Sequence, residues 1–127
     1  PPPLLHRDLD APPDRGPVLV TLEWSVDPRD EAPFLSAVRA LGASRYRYGA
    51  TQWGVFEDAE RPGAWLEWFL VPSWAEHLRQ HERVTMEDRT LQERVRSFHR
   101  GPDGPRALHR FAPATGVGPL KGRTARH

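Results

Sequence analysis

Residues 18–26 alternate with a strict period of two, and this pattern constrains the fold more than any other feature of the chain. One set of alternating positions is entirely apolar: Val18, Val20, Leu22, Trp24 and Val26. Alternation that includes β-branched residues is typical of a strand with one buried face. The chain therefore contains a sheet, and other segments must supply the layer that covers it.

A helix is predicted directly after this strand. Asp27 and Pro28 have the residue types of an N-cap and of a first helical position. Apolar residues then recur at helical spacing at Phe34, Leu35, Val38 and Leu41. The helix is predicted to run to about Arg47, and Gly49 is placed to end it.

Two aromatic-rich segments follow, at residues 50–58 and 64–71. Both show the residue types of strands, and Pro62 and Gly63 between them are the residues that a tight turn uses. The two segments therefore predict a hairpin.

The second helical region is predicted in two pieces. Ser73 and Glu76 have the spacing of a capping box, and Thr85 opens another helical segment. Residues 106–111 then predict a final short strand. The order β-α-β-β-α-β predicts an α+β fold of the ferredoxin-like type, with a four-stranded antiparallel sheet.

One face of such a sheet is covered by its own helices, and the other face needs water or a partner. The strand residues predicted for this second face are mostly apolar: Leu19, Phe56, Trp65, Phe69 and Val71. A surface this apolar predicts a homodimer in which two sheets pack together as a dimeric α/β barrel.

The sequence offers several candidate residues for a pocket in this barrel. Glu23 and Glu67 lie in the middle of predicted strands among aromatic residues, and both are predicted for the face that the helices leave uncovered. A carboxyl group in such surroundings can act as an acid or base. Each can equally be a structural partner of an arginine. The full candidate set is Glu23, Trp53, Trp65, Glu67, Phe69 and His109. The five tryptophans of the chain fit either core packing or a cavity for a flat organic ligand.

His77 and His81 are four residues apart on a predicted helix, the spacing at which two imidazoles can share a metal ion. The chain has no cysteine, and no third ligand is evident. We therefore predict no metal and no cofactor, and keep the two histidines as weak candidates.

Composition sets the outer limits of the prediction. Residues 1–16 carry five of the fourteen prolines and are predicted to be a linker or disordered, whereas residues 17–112 hold the domain. Residues 113–127 are predicted to be a basic disordered tail.

The strands lack the basic and aromatic pattern of RNA-binding sheets, so no nucleic-acid partner is predicted. No apolar run is long enough to span a bilayer.

Three stretches resemble one known family. They are PVLVTLEW at 17–24, GATQWGVFED at 49–58 and FLVPSWAEHLRQHERVT at 69–85. The chain is similar there to the C-terminal domain of bacterial major-facilitator transporters of the enterobactin-exporter-like kind. The fold that this implies is also that of the antibiotic-biosynthesis monooxygenases, which are dimeric α/β barrels.

The resemblance implies a cytoplasmic domain, tethered to the inner face of the cell membrane wherever a parent transporter is fused to it. The related monooxygenases use an asparagine together with a tryptophan and an arginine or histidine, and this chain has no asparagine. The expected function is therefore that of a non-catalytic accessory or ligand-sensing domain, which takes a hydrophobic or aromatic small molecule. The alternative is a cofactor-independent monooxygenase that acts on an aromatic substrate.

Overall fold

The computed structural model describes residues 11–114, 116 and 118–122. Within them, the chain forms one four-stranded sheet and three α-helices, and a 3-10 turn (Pro28–Asp30) precedes the first helix. The strands are β1 (Val18–Ser25), β2 (Gln52–Glu57), β3 (Ala64–Val71) and β4 (Arg106–Phe111). The helices are α1 (Glu31–Arg47), α2 (Trp74–Glu82) and α3 (Met86–Arg96).

The sheet is antiparallel throughout, with the strand order β2-β3-β1-β4. The helices follow the first and third strands, and the second helical region is divided into α2 and α3. This is the predicted ferredoxin-like α+β fold, which the structure confirms.

The strand register decides which side chains face the helices. Val18 of β1 pairs with Val71 of β3 and with Phe111 of β4, and directly paired residues point to the same side of a sheet. Val18 and Val71 both belong to a buried cluster with Trp74 of α2. We call the side that packs on the helices the inner face and the opposite side the outer face.

The register corrects one prediction about the outer face. Leu19 and Phe56 lie there as predicted, but Trp65, Phe69 and Val71 lie on the inner face, because they pair with residues of the apolar set of β1. The outer face of β3 is instead formed by the alternate residues, which include Leu66, Trp68 and Leu70.

Two buried clusters fill the space between the inner face and the helices. The first joins Trp24 to Phe34, Val38 and Leu41 of α1 and to Val95 of α3. The second surrounds Trp74 at the start of α2. Each fully buried aromatic or branched side chain contributes about 1.5–3 kcal/mol, so these clusters are the main source of stability.

Local signals mark most helix ends where the sequence predicts, but Asp27 caps the 3-10 turn at Pro28–Asp30, and α1 begins three residues later than predicted, at Glu31. Gly49 adopts φ +110° after α1, a conformation that glycine reaches without strain. Thr85 and Asp88 form a reciprocal capping box at the start of α3. Ser73 accepts a hydrogen bond from the backbone of Glu76, but the Glu76 carboxylate turns to Arg79, so only half of that predicted box forms.

The segment at 11–16 contacts the start of α2. The carbonyl oxygens of Pro13 and Arg15 accept hydrogen bonds from the backbone of Ala75 and Trp74, each at 2.8 Å. The predicted division of the chain at residues 17 and 112 stays a prediction, and residues 1–10, 115, 117 and 123–127 lie outside the described residues. None of the helices in the described part combines the length and apolar composition needed to cross a bilayer.

Candidate functional site

Glu67 is the most unusual polar group of the inner face. Its register partners are Leu22 and Val55, and its side chain is fully buried between the sheet and α1. A buried carboxylate is costly unless hydrogen bonds and a counter-charge satisfy it. Its partners therefore decide what this site can do.

Four N–H groups surround the Glu67 carboxylate. Trp24 Nε1 donates to Oε1 at 3.2 Å, and Trp53 Nε1 donates to Oε2 at 2.9 Å. The Arg45 guanidinium donates twice, from Nε to Oε2 at 3.1 Å and from Nη2 to Oε1 at 3.5 Å. Each carboxylate oxygen thus accepts two hydrogen bonds. We call these four residues the Glu67 cluster.

Local sequence features hold the donors in place. Gly42 of α1 lets the Trp53 ring lie against the helix, because a Cβ atom at Gly42 would come within 2.6 Å of that ring. The Arg45 guanidinium lies 4.6 Å from the ring centroid of Phe69, a distance that permits a cation–π contact. The positions of the donors are therefore set by packing as well as by the carboxylate.

This arrangement leaves the Glu67 carboxylate little capacity for chemistry. A carboxylate has about four acceptor positions, and four donors occupy them here. Its exposed fraction is 0%. A substrate would reach it only after Trp53 or Arg45 had moved away.

The predicted pocket residues lie on both faces of the sheet. Five of the six share the inner face, namely Trp53, Trp65, Glu67, Phe69 and His109. Glu23 lies on the outer face, where its carboxylate is 4.0 Å from Arg106. The structure thus joins Glu67 to Trp53 directly and separates both from Glu23.

The histidines lie near the other buried cluster. The ring of His77 is 4.8 Å from that of His81 and 4.7 Å from that of His109, measured between centroids. The ring of Trp74 packs against His77 at 5.3 Å. Among the described residues, no three or more histidine, aspartate or glutamate side chains are arranged to hold a metal ion.

Sequence reasoning missed two members of the Glu67 cluster, Trp24 as a donor and Arg45 as the counter-charge. A signal for Arg45 was present, because Val38, Leu41 and Arg45 continue the helical spacing of the buried stripe of α1. An arginine on a buried stripe indicates a buried acid opposite it.

The outer face is organised in three rows that run across the four strands. The first row is Gln52, Leu70, Leu19 and Arg110, the second is Gly54, Trp68, Thr21 and Leu108, and the third is Phe56, Leu66, Glu23 and Arg106. Phe56 and Leu66 of the third row are 63% and 37% exposed. This end of the outer face is an open apolar surface beside an ion pair.

The first row is partly enclosed by residues that follow β4. We call residues 112–119, without 115 and 117, the C-terminal turn. The backbone N–H of Ala112 donates to the carbonyl oxygen of Pro17 at 2.9 Å, and Gly118 lies close to the side chain of Pro17. Between the turn and the sheet lies an open-sided cavity of about 450 Å³. All four first-row residues and Trp68 line it.

Comparison with known proteins links the chain to one family and one fold. The sequence profile of a family described as transmembrane secretion effector, within the major facilitators, matches residues 1–115. No curated protein matches the chain.

Several solved structures share the fold at low sequence identity. A candidate antibiotic biosynthesis monooxygenase from Caulobacter crescentus CB15 superimposes with a TM-score of 0.67 at 16% identity, over 80% of this chain and 93% of that one. SnoaB from Streptomyces nogalater, a cofactor-independent oxygenase solved as an asparagine-to-alanine variant, gives 0.59 at 13% identity, over 81% and 97%. Rv0793 from Mycobacterium tuberculosis gives 0.59 at 14% identity, over 86% and 100%. At identities of 13–16%, these similarities show that the chain shares its fold with these proteins.

Proposed function

The chain belongs to the family of transmembrane secretion effectors, and from this premise we propose that it is a non-catalytic accessory or ligand-sensing domain of a major-facilitator-type transporter. It acts on the cytosolic side of the membrane and pairs with a second copy through its outer face. The observation that carries the non-catalytic part is the closure of the Glu67 cluster. Its carboxylate has four donors and no exposed surface.

The third row of the outer face supports pairing with a second copy. Phe56 and Leu66 expose apolar surface there, and Glu23 and Arg106 place one acid and one base in the same row. A twofold axis brings such a surface against itself, and then each acid can meet the base of the other copy. The third row is therefore apolar, and its charges are complementary to those of a second copy.

Light scattering after size exclusion tests the pairing. At high micromolar concentration we expect twice the chain mass of 14.5 kDa. Leu66→Glu places a charge on the third row and is expected to give the single-chain mass. Met86→Glu is the matched control, because Met86 is 76% exposed on α3, away from the sheet. A wild-type monomer, or a Leu66→Glu variant that still pairs, contradicts the proposal.

The alternative function is a cofactor-independent oxygenase that acts on an aromatic substrate, and its support is the shared fold with SnoaB. Oxygen consumption with a panel of anthrones and quinols distinguishes the two functions. The non-catalytic proposal predicts the buffer rate for the wild type and for Trp53→Phe alike. Consumption above the buffer rate that falls in Trp53→Phe overturns it in favour of the oxygenase.

A further inference from the structure

The cavity under the C-terminal turn is separate from the Glu67 cluster, because it lies on the outer face of the sheet. Its walls are mainly apolar and include Pro17, Leu19, Trp68, Leu70 and Ala112. A volume of about 450 Å³ is within the range of sites that hold small organic molecules. A mainly apolar lining with a few polar groups is usual for sites that bind small organic molecules.

Two polar side chains mark opposite edges of this cavity. Gln52 stands at the β2 end of the first row and Arg110 at the β4 end, with Leu70 and Leu19 between them. Arg110 has no ion pair with any carboxylate in the described part of the chain. Arg106, two rows away on the same strand, lies within 4.0 Å of Glu23. Among the residues that the structure describes, Arg110 is therefore a cation without an ion-pair partner at the border of an apolar cavity.

The indole of Trp68 gives the cavity a flat wall. Gly54 of β2 allows this, because a Cβ atom at Gly54 would come within 2.7 Å of Trp68 Nε1. The indole also packs with Phe56, at 6.5 Å between centroids and 21° between planes. A planar ring stacks on such a surface more favourably than a flexible chain does.

We propose that this cavity binds a flat apolar organic anion, with its ring beside Trp68 and its carboxylate or sulfonate at the Arg110 guanidinium. The apolar walls supply the contact area, and Arg110 supplies the charge that selects an acid over its neutral analogue. This site gives a ligand class to the ligand-sensing part of the proposed function and rests on it for its biological role. Because the cavity opens on the same outer face, the binding test is repeated in Leu66→Glu, which is expected to be a single chain, so that binding is measured apart from the pairing.

Calorimetric titration with naphthalene-2-carboxylate and with the neutral naphthalene-2-carboxamide tests the site. We expect the acid to bind the wild type at least about tenfold more tightly than the amide, since a hydrogen bond to a charged group has roughly that value. Arg110→Gln is expected to remove this preference and to leave the amide unaffected. Arg94→Gln is the matched control, because Arg94 is exposed on α3 away from the outer face, and it should keep the preference.

Further measurements locate the ligand. The indole N–H resonance of Trp68, assigned with Trp68→Phe, should shift with the acid in the wild type. Leu19→Trp fills the cavity and should abolish binding of both compounds while circular dichroism shows an intact fold.

Absence of acid binding, equal binding of acid and amide, or an unchanged preference in Arg110→Gln overturns the proposal. Decanoate binding as tightly as the naphthoate overturns the preference for a flat ring. The chain mass from light scattering separates these outcomes from a failure of the pairing.

Discussion

Glu67 shows how one charged residue can be built into a core of this size. Its carboxylate and the Arg45 guanidinium offset each other's loss of hydration, and two indole N–H groups complete the set of donors. A buried pair of this kind adds little net stability, but the removal of one partner leaves the other charge without compensation. The cluster therefore makes the core sensitive to small changes at a single position.

Glu67→Gln is expected to lower the free energy of unfolding by about 3 kcal/mol. The amide offers one acceptor oxygen, and its NH₂ group faces donors where the second oxygen was. Urea unfolding monitored by circular dichroism measures the loss. Asp58→Asn is the control, because Asp58 pairs with Arg61 on the surface and such pairs contribute under about 1 kcal/mol. Equal losses in the two variants would contradict a structural role for the cluster.

At the residue scale, sequence reasoning identified Glu67 and Trp53 but placed Glu67 with Glu23 on the outer face. The cause is the composition of β3, in which both alternating sets are apolar except for Glu67 itself. The alternating positions of β3 therefore show no contrast between an apolar and a polar set, and the sequence does not indicate which set faces the helices. The register of Val18 with Val71 decides it, and that pairing depends on the whole sheet.

The capping box of α3 also joins two helices. Asp88 accepts hydrogen bonds from Thr85 and, through Oδ1 at 2.6 Å, from Ser44 of α1. Burial raises the pKa of Asp88, but hydrogen bonds from Ser44, Tyr48 and Thr85 outweigh it and hold that pKa well below its usual range. The ionised carboxylate is thus a contact between α1 and α3.

We expect Asp88→Asn to be less stable than the wild type at pH 6 and to show a smaller deficit at pH 3. A folded-state pKa below the unfolded value gives stability that is present above about pH 4 and is lost as pH falls further. Urea midpoints at pH 6 and pH 3 measure it. Asp103→Asn, in the exposed loop before β4, is the control and should match the wild type at both pH values. A constant deficit for Asp88→Asn would contradict the linkage.

At the element scale, the sequence predicts every strand and helix, because alternation, helical spacing and capping residues are local signals. The capping box predicted at Ser73 forms only one of its two hydrogen bonds, which shows a limit of local sequence signals. Glu76 has the right spacing, but Arg79 one turn later offers its carboxylate a charged partner instead. Spacing alone does not show which of two nearby partners a side chain takes.

For the whole molecule, pairing through the outer face has a thermodynamic signature. A partner that binds only the folded chain raises its stability with concentration. We therefore expect the midpoint of thermal unfolding to rise by several degrees over a hundredfold range of protein concentration. Leu66→Glu is expected to show no such rise, and Met86→Glu to behave as the wild type. A midpoint independent of concentration in the wild type would contradict pairing.

The ferredoxin-like arrangement as a whole follows from the order of the elements, but the enclosure of the first row does not. The C-terminal turn is rich in glycine and proline and has no periodic pattern. Its position depends on Pro17, about a hundred residues earlier in the chain. Contacts over such a distance leave no local trace in a single sequence.

Arg15 connects the segment that enters the domain with the segment that leaves it. Its guanidinium lies 5.0 Å from the ring centroid of Phe111, and its Nε donates to the carbonyl of Ala112 at 3.3 Å. The two ends of the folded part therefore cannot be redesigned independently. A fusion joint or a deletion made close to Arg15 disturbs its hydrogen bond to Ala112, which lines the cavity, so an engineered sensor based on this domain is better joined through the loop at residues 101–104.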